Sequence, residues 1–116
     1  MNNKEIACAY YTAMGQKNVA AMAQYLDKNV QLVGPLGTRS GKEAVLEAVE
    51  KHLSFFHMLV INVVVAEHEH VMLTIDMDFP APVHTLQTAV HLTLHNELIT
   101  NIELFFDASK FGTHTE

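Results

Sequence analysis

Apolar residues recur at helical spacing through the first half of the chain and alternate through the second. Asn2, with Glu5 three residues on, is a capping-box arrangement, and Ile6, Tyr10 and Ala13 then share one helical face with Ala9 and Met14 beside it. Gly15 stops that helix. Asn18 can cap a second, Val19 to Leu26, whose face is Val19, Met22, Ala23 and Leu26. Asp27-Lys28-Asn29 leads into a brief strand, Val30 to Val33, which Gly34-Pro35-Leu36-Gly37 breaks. Ser40 followed by Glu43 reads as a further capping box, opening a third helix to about Ser54 with Ala44, Val45, Ala48 and Val49 inward, then His52 or Leu53.

From Phe55 onward the period is two. Phe55 to Glu67 is rich in β-branched residues and ends in a polar tip, Glu67 to His70. His70 to Phe79 sets Val71, Leu73, Ile75, Met77 and Phe79 against Met72, Thr74, Asp76 and Asp78. Pro80-Ala81-Pro82 forces a connection. Thr85 to His95 then sets Leu86, Thr88, Val90, Leu92 and Leu94 against Gln87, Ala89, His91 and Thr93. The last strand, Ile99 to Asp107, places Ile102, Leu104 and Phe106 opposite Asn101, Glu103, Phe105 and Asp107. Helices followed by a run of hairpin strands predict a single α+β domain over residues 1–116, with helices on one face of an antiparallel sheet. Pairing Leu92 with Ile102 through an odd-length loop near Glu97 puts His91 opposite Glu103 and Gln87 opposite Asp107. The strand from 57 to 67 is apolar on both parities. A strand covered on one face has no need of that, and a homodimer across the sheet would explain it.

Composition narrows the partners. Hydrophobic residues are 49% of the chain and charged residues 17%, which excludes disorder. The net charge of −6 and the lack of a basic patch exclude nucleic acid or an anionic membrane surface as the main partner. Eight histidines, all protonated, would change that balance to −6 + 8 = +2 in acid. The apolar run Met58 to Ala66 is interrupted by Asn62 and too short to span a bilayer, and the first residues do not read as a signal peptide. Cys8 has no partner for an intrachain disulfide and no adjacent base, so a soluble cytoplasmic protein with a core thiol is expected.

The element order, together with Gln24-Tyr25-Leu26-Asp27-Lys28-Asn29-Val30, Gly41-Lys42-Glu43-Ala44-Val45 and the closing Ile102-Glu103-Leu104-Phe105-Phe106-Asp107, resembles the nuclear transport factor 2-like superfamily. Within it the chain looks most like SnoaL-like and ketosteroid-isomerase-like proteins. The resemblance implies a cystatin-like α+β cone: N-terminal helices packed on a curved, mostly antiparallel sheet around a small-molecule pocket, commonly in a dimer. In the steroid isomerases a first-helix aromatic hydroxyl polarises the substrate carbonyl, and Tyr10 matches that position. The aspartate that moves the proton ends the first strand before a proline. Gly34 before Pro35 stands there and supplies no carboxylate, and the second acid falls near Val90.

The candidate ligand-binding residues are therefore Tyr10, as the one possible catalytic donor, with His57, Met58, Asn62, Thr88, Val90, Leu104 and Phe106. Leu73 and Met77 would complete an apolar wall. Asp76, Asp78, His91, Glu103 and Asp107 share the polar parity and belong on the convex face. His68 and His70 lie at a hairpin tip without the further ligands that a metal site needs, so neither a metal nor a cofactor is expected. The reading is a pocket for a small apolar molecule, with any chemistry confined to proton transfer or hydration and dehydration. The alternative is a non-catalytic dimeric interaction domain with a filled cone.

Overall fold

A computed structural model describes residues 1–111. Helices α1 (Asn3–Gly15) and α2 (Val19–Ala23) precede a hairpin of β1 (Leu26–Gly34) and β2 (Gly37–Ser40). Helix α3 (Lys42–Leu53) comes next, then β3 (Met58–Glu67), β4 (His70–Asp78), β5 (Thr85–His95), β6 (Leu98–Phe105) and a 3₁₀ turn, Ala108–Phe111. The six-stranded sheet runs β2-β1-β6-β5-β4-β3, antiparallel except where β1 lies parallel to β6. Helix α1 packs over β3 and β4 and α3 over β1 and β2, closing the concave face into a cone.

Local chemistry explains most boundaries. The capping box at α1 is present: Asn2 Oδ1 accepts the Glu5 N–H at 2.8 Å, and Glu5 Oε1 accepts the Asn2 N–H at 2.9 Å. Asn18 caps α2, but that helix is a single turn, and Leu26 opens β1 instead of closing the helix. The pull is long-range, because the Tyr25 carbonyl accepts the Ile99 N–H at 2.8 Å and Leu26 pairs with Ile99 of β6. The expected Ser40 cap is absent. Gly41 is the N-cap, at φ 94° where a side chain would be strained, and Ser40 Oγ donates to Gln31 Oε1 at 2.8 Å. Ser40 belongs to β2, a short exposed strand without apolar alternation, which left no trace in the pattern.

Two bulges set the register. The odd residue between β5 and β6 lies in a bulge after Thr93 and not in the loop, which is a two-residue turn with Asn96 and Glu97 both at positive φ. The pairs Leu92–Ile102 and His91–Glu103 form as expected. Gln87 does not meet Asp107, because β6 ends at Phe105 and Asp107 caps the next turn through Ser109. In β3 the bulge is at Asn62, and it reverses the parity of the residues beyond it. Leu59, Ile61 and Val64 turn inward, half-buried, while Met58, Val60, Val63 and Val65 are exposed on the convex face. The doubly apolar strand is thus an inward row and an outward row joined by a parity switch.

Candidate functional site

The cone holds an apolar cavity of about 160 Å³ that opens to solvent at one rim. An apolar protein cavity of about 150 Å³ stays dry and accepts benzene, so this one has room for a ligand of that size. Its wall comes from every layer of the fold: Tyr10, Tyr11 and Met14 of α1, Val49, His52 and Leu53 of α3, Phe56 from the loop after α3, and concave-face residues of five strands. Tyr10 and Tyr11 are both buried and meet edge to face at 4.9 Å and 89°. Burial raises the pKa of both phenols, with Tyr10 adding to the effect on Tyr11, so each remains a neutral hydroxyl at any physiological pH.

Among the described residues Thr88 is the buried polar residue of the core, 4% exposed, and its Oγ1 has no hydrogen-bond partner among them. It lies opposite Ile75 in the concave row and lines the cavity. A buried hydroxyl without a partner carries a desolvation penalty that a ligand oxygen could relieve. Replacing it with an isosteric methyl should therefore help the empty protein. Thr88→Val is expected to raise unfolding stability by about 1 kcal/mol, measured by urea titration. A loss of stability would mean that the hydroxyl is satisfied.

The wall contains no carboxylate among the described residues. Gly34 lines the cavity where the resemblance puts a proton-transferring aspartate, and a Cβ there would come within 3.3 Å of Leu104 Cβ. The glycine lets β1 and β6 approach closely at the cost of the acid. Among the described residues the titratable base on the wall is His52, whose pKa is lowered by partial burial and by the nearby Arg39 and Lys51.

Of the residues singled out from sequence, Tyr10, Thr88, Leu104 and Phe106 converge on this cavity, and Met77 joins them. Val90 is fully buried between Leu73 and Leu104, in the core below the wall. His57, Met58 and Asn62 lie outside the cone. His57 and Met58 border an open depression beside Thr12, Gly15 and Gln16 on the outer side of α1, and Asn62 projects to solvent from the β3 bulge. Met58 has the convex parity, one residue before the inward Leu59, and His57 lies at the strand entry, where its N–H donates to the Asp78 carbonyl at 2.7 Å. Arg39 and His52 are wall residues that the sequence pattern did not single out. One was hidden in the unrecognised β2, the other read as an inward helical position.

The convex face carries a polar relay. Glu103 Oε1 holds His91 Nδ1 at 2.6 Å, and His91 Nε2 meets His70 Nδ1 at 2.9 Å, with the imidazoles stacked at 5.0 Å. The Glu103 carboxylate accepts from His91 Nδ1–H, and the tautomers set the direction of the His91–His70 contact. No group of three or more His, Cys, Asp or Glu among the described residues could hold a metal ion, and none of their helices is long and apolar enough to cross a membrane.

Comparison with known proteins fits this geometry. Residues 7–102 match the model of the SnoaL-like domain family. The chain belongs to that family. Among solved structures, the SnoaL-like domain superposes with TM-score 0.86 on a nuclear transport factor 2-like protein of unknown function from Cytophaga hutchinsonii. That match has 22% identity over 96% of this chain and 95% of the other. A Xanthomonas campestris protein of unknown function with a cystatin-like fold gives TM-score 0.85 at 20% identity, covering 96% and 95%. A Catenulispora acidiphila protein with a ketosteroid isomerase-like fold, solved in complex with trimethylamine, gives 0.79 at 18% identity, covering 94% and 90%. At these identities the likeness is one of fold. No curated protein matches this chain in sequence.

Proposed function

We propose that this SnoaL-like domain binds a small, largely apolar molecule bearing an oxygen acceptor inside its cone. The observation that carries the reading is an unfilled apolar cavity into which an orphan hydroxyl, Thr88 Oγ1, and the buried Tyr10 phenol are built. A core that served packing alone would gain by filling that volume and by losing the unpaired hydroxyl. Any chemistry would be proton transfer or hydration and dehydration with Tyr10 as donor, because the wall offers, among the described residues, neutral hydroxyls and one rim imidazole. On this reading the domain is cytoplasmic, where Cys8, half-buried on α1 and not in the core as expected, remains a thiol. It is a homodimer paired through the convex sheet face, a partner suggested by the exposed apolar residues there. Those same residues favour the second reading, a non-catalytic interaction domain whose working surface is the sheet.

The test is a panel of small carbonyl compounds, cyclohexanone and acetophenone among them, screened by thermal shift. At least one should raise the melting temperature, since a ligand at a hundredfold excess over its dissociation constant adds about 2.7 kcal/mol. Tyr10→Phe should weaken that compound by about 0.5–1.5 kcal/mol, the net worth of a neutral hydrogen bond, and leave the unliganded melting temperature unchanged. Lost stability with unchanged affinity would make Tyr10 a packing residue and favour the interaction domain.

A further inference from the structure

The charge on the cavity wall is one-sided. The chain has a net charge of −6, yet the wall has no carboxylate among the described residues and one permanent cation, Arg39. Its placement is a matter of register: Arg39 pairs with Leu32, which pairs with Ile102, and all three line the cavity. Arg39 thus belongs to the concave parity of β2, at the exposed rim of an otherwise apolar cup. Its Nη1 donates to the Thr38 carbonyl at 2.9 Å, and the ion pairs among the described residues, His91–Glu103 and His95–Glu69, do not involve it. The remaining guanidinium donors have no partner among the described residues and can meet a ligand. His52 stands on the same rim from the last turn of α3, close enough for Arg39 to oppose its protonation, and adds a neutral imidazole donor.

A lone guanidinium beside a neutral imidazole suits a monoanion with two oxygens. The guanidinium fork matches a carboxylate in bidentate geometry, and the apolar wall beyond takes a hydrocarbon body. A dianionic phosphate would bring a second charge that this rim does not offset, within a chain already negative overall. We propose that the cone's ligand is an apolar monocarboxylate of about benzene size, its hydrocarbon part inside the cavity and its carboxylate held at the rim by Arg39 with His52. The proposal rests on the pocket reading above and narrows it from any apolar oxygen compound to an acid.

The experiment compares each acid with its neutral twin by isothermal titration at pH 7.5 and low salt: phenylacetate against phenylacetamide, and hexanoate against hexanamide. At least one acid should bind about tenfold more tightly than its amide, as expected for hydrogen bonds to a charged partner. In Arg39→Gln that ratio should fall to about one, and in Arg39→Lys to an intermediate value, since a point charge keeps the attraction without the fork. One molar salt should weaken the acid and spare the amide. Equal binding of both acids and their amides by the wild type overturns the carboxylate inference and leaves the pocket reading standing. A preference that persists in Arg39→Gln also overturns it, since the anion is then held elsewhere. Binding of none of the four, together with an empty carbonyl screen, overturns both. The wild-type ratio needs no variant, so the test survives if Arg39→Gln folds poorly.

Discussion

On the proposed pairing through the convex sheet face, Val63→Glu is expected to turn a dimer into a monomer while leaving the fold intact. Val63 is 55% exposed on the convex face, and its row across the sheet runs through Thr74 and Ala89 to Phe105, itself exposed. The next row carries Val65, Met72, the His91–Glu103 pair and Val33. Exposed Val60, Val63, Val65, Met72 and Phe105 form an apolar surface that a monomer would leave in water. A carboxylate buried without a partner costs about 3–5 kcal/mol, so the dissociation constant should rise at least about a hundredfold. Light scattering at micromolar concentration reads the result. A wild type that is strictly monomeric would remove the sheet-paired dimer, and a dimer untouched by the substitution would move the contact elsewhere. Ile61→Glu is the control, because Ile61 points inward and its replacement should cost stability before it alters assembly.

Phe56→Ala should have the largest effect on folding, about 3–5 kcal/mol of lost stability by chemical denaturation. Phe56 is 1% exposed, meets Phe79 edge to face at 6.2 Å, and forms part of the cavity wall. Lys17, just beyond α1, places its ammonium 5.1 Å over the Phe56 ring and donates to the Phe56 carbonyl at 2.7 Å. One aromatic ring therefore ties the end of α1, the loop after α3 and the turn after β4 together. Domains of this size have about 5–15 kcal/mol in all, so the variant should be marginal at 37 °C. A loss below about 1 kcal/mol would mean that the neighbours collapse into the space.

The sequence made the strands legible where burial is one-sided. β5 runs from Thr85 to His95 as its alternation demands, and the register through Leu92 and Ile102 comes from matching inward rows. Failures occurred where a local signal met a tertiary one. Leu26 continues a helical pattern but is taken by parallel pairing with Ile99, and Ser40 looks like a cap but is held in a hairpin by Gln31. Bulges are invisible to a two-residue period, so the switch at Asn62 hid which half of β3 faces outward. Tyr10 could be placed on the cone from the apolar face of α1, and Thr88, Leu104 and Phe106 from the inward alternation of β5, of β6 and of the residue after it. His57, Met58 and Asn62 could not, because they lie at a strand entry and at a bulge. Arg39 needed the hairpin partner of β1, which four polar or glycine residues gave no period to reveal.

The claim that a ligand occupies the cone, and not the sheet face, is tested most directly by methyl-resolved NMR during titration with the best compound from the carbonyl screen. Concentration-dependent shifts are expected at Ile75, Leu86, Ile102 and Leu104, whose methyls belong to the cavity wall, with Val60, Val63 and Val65 unmoved. Shifts confined to Val60, Val63 and Val65 would contradict it and make the convex face the binding surface.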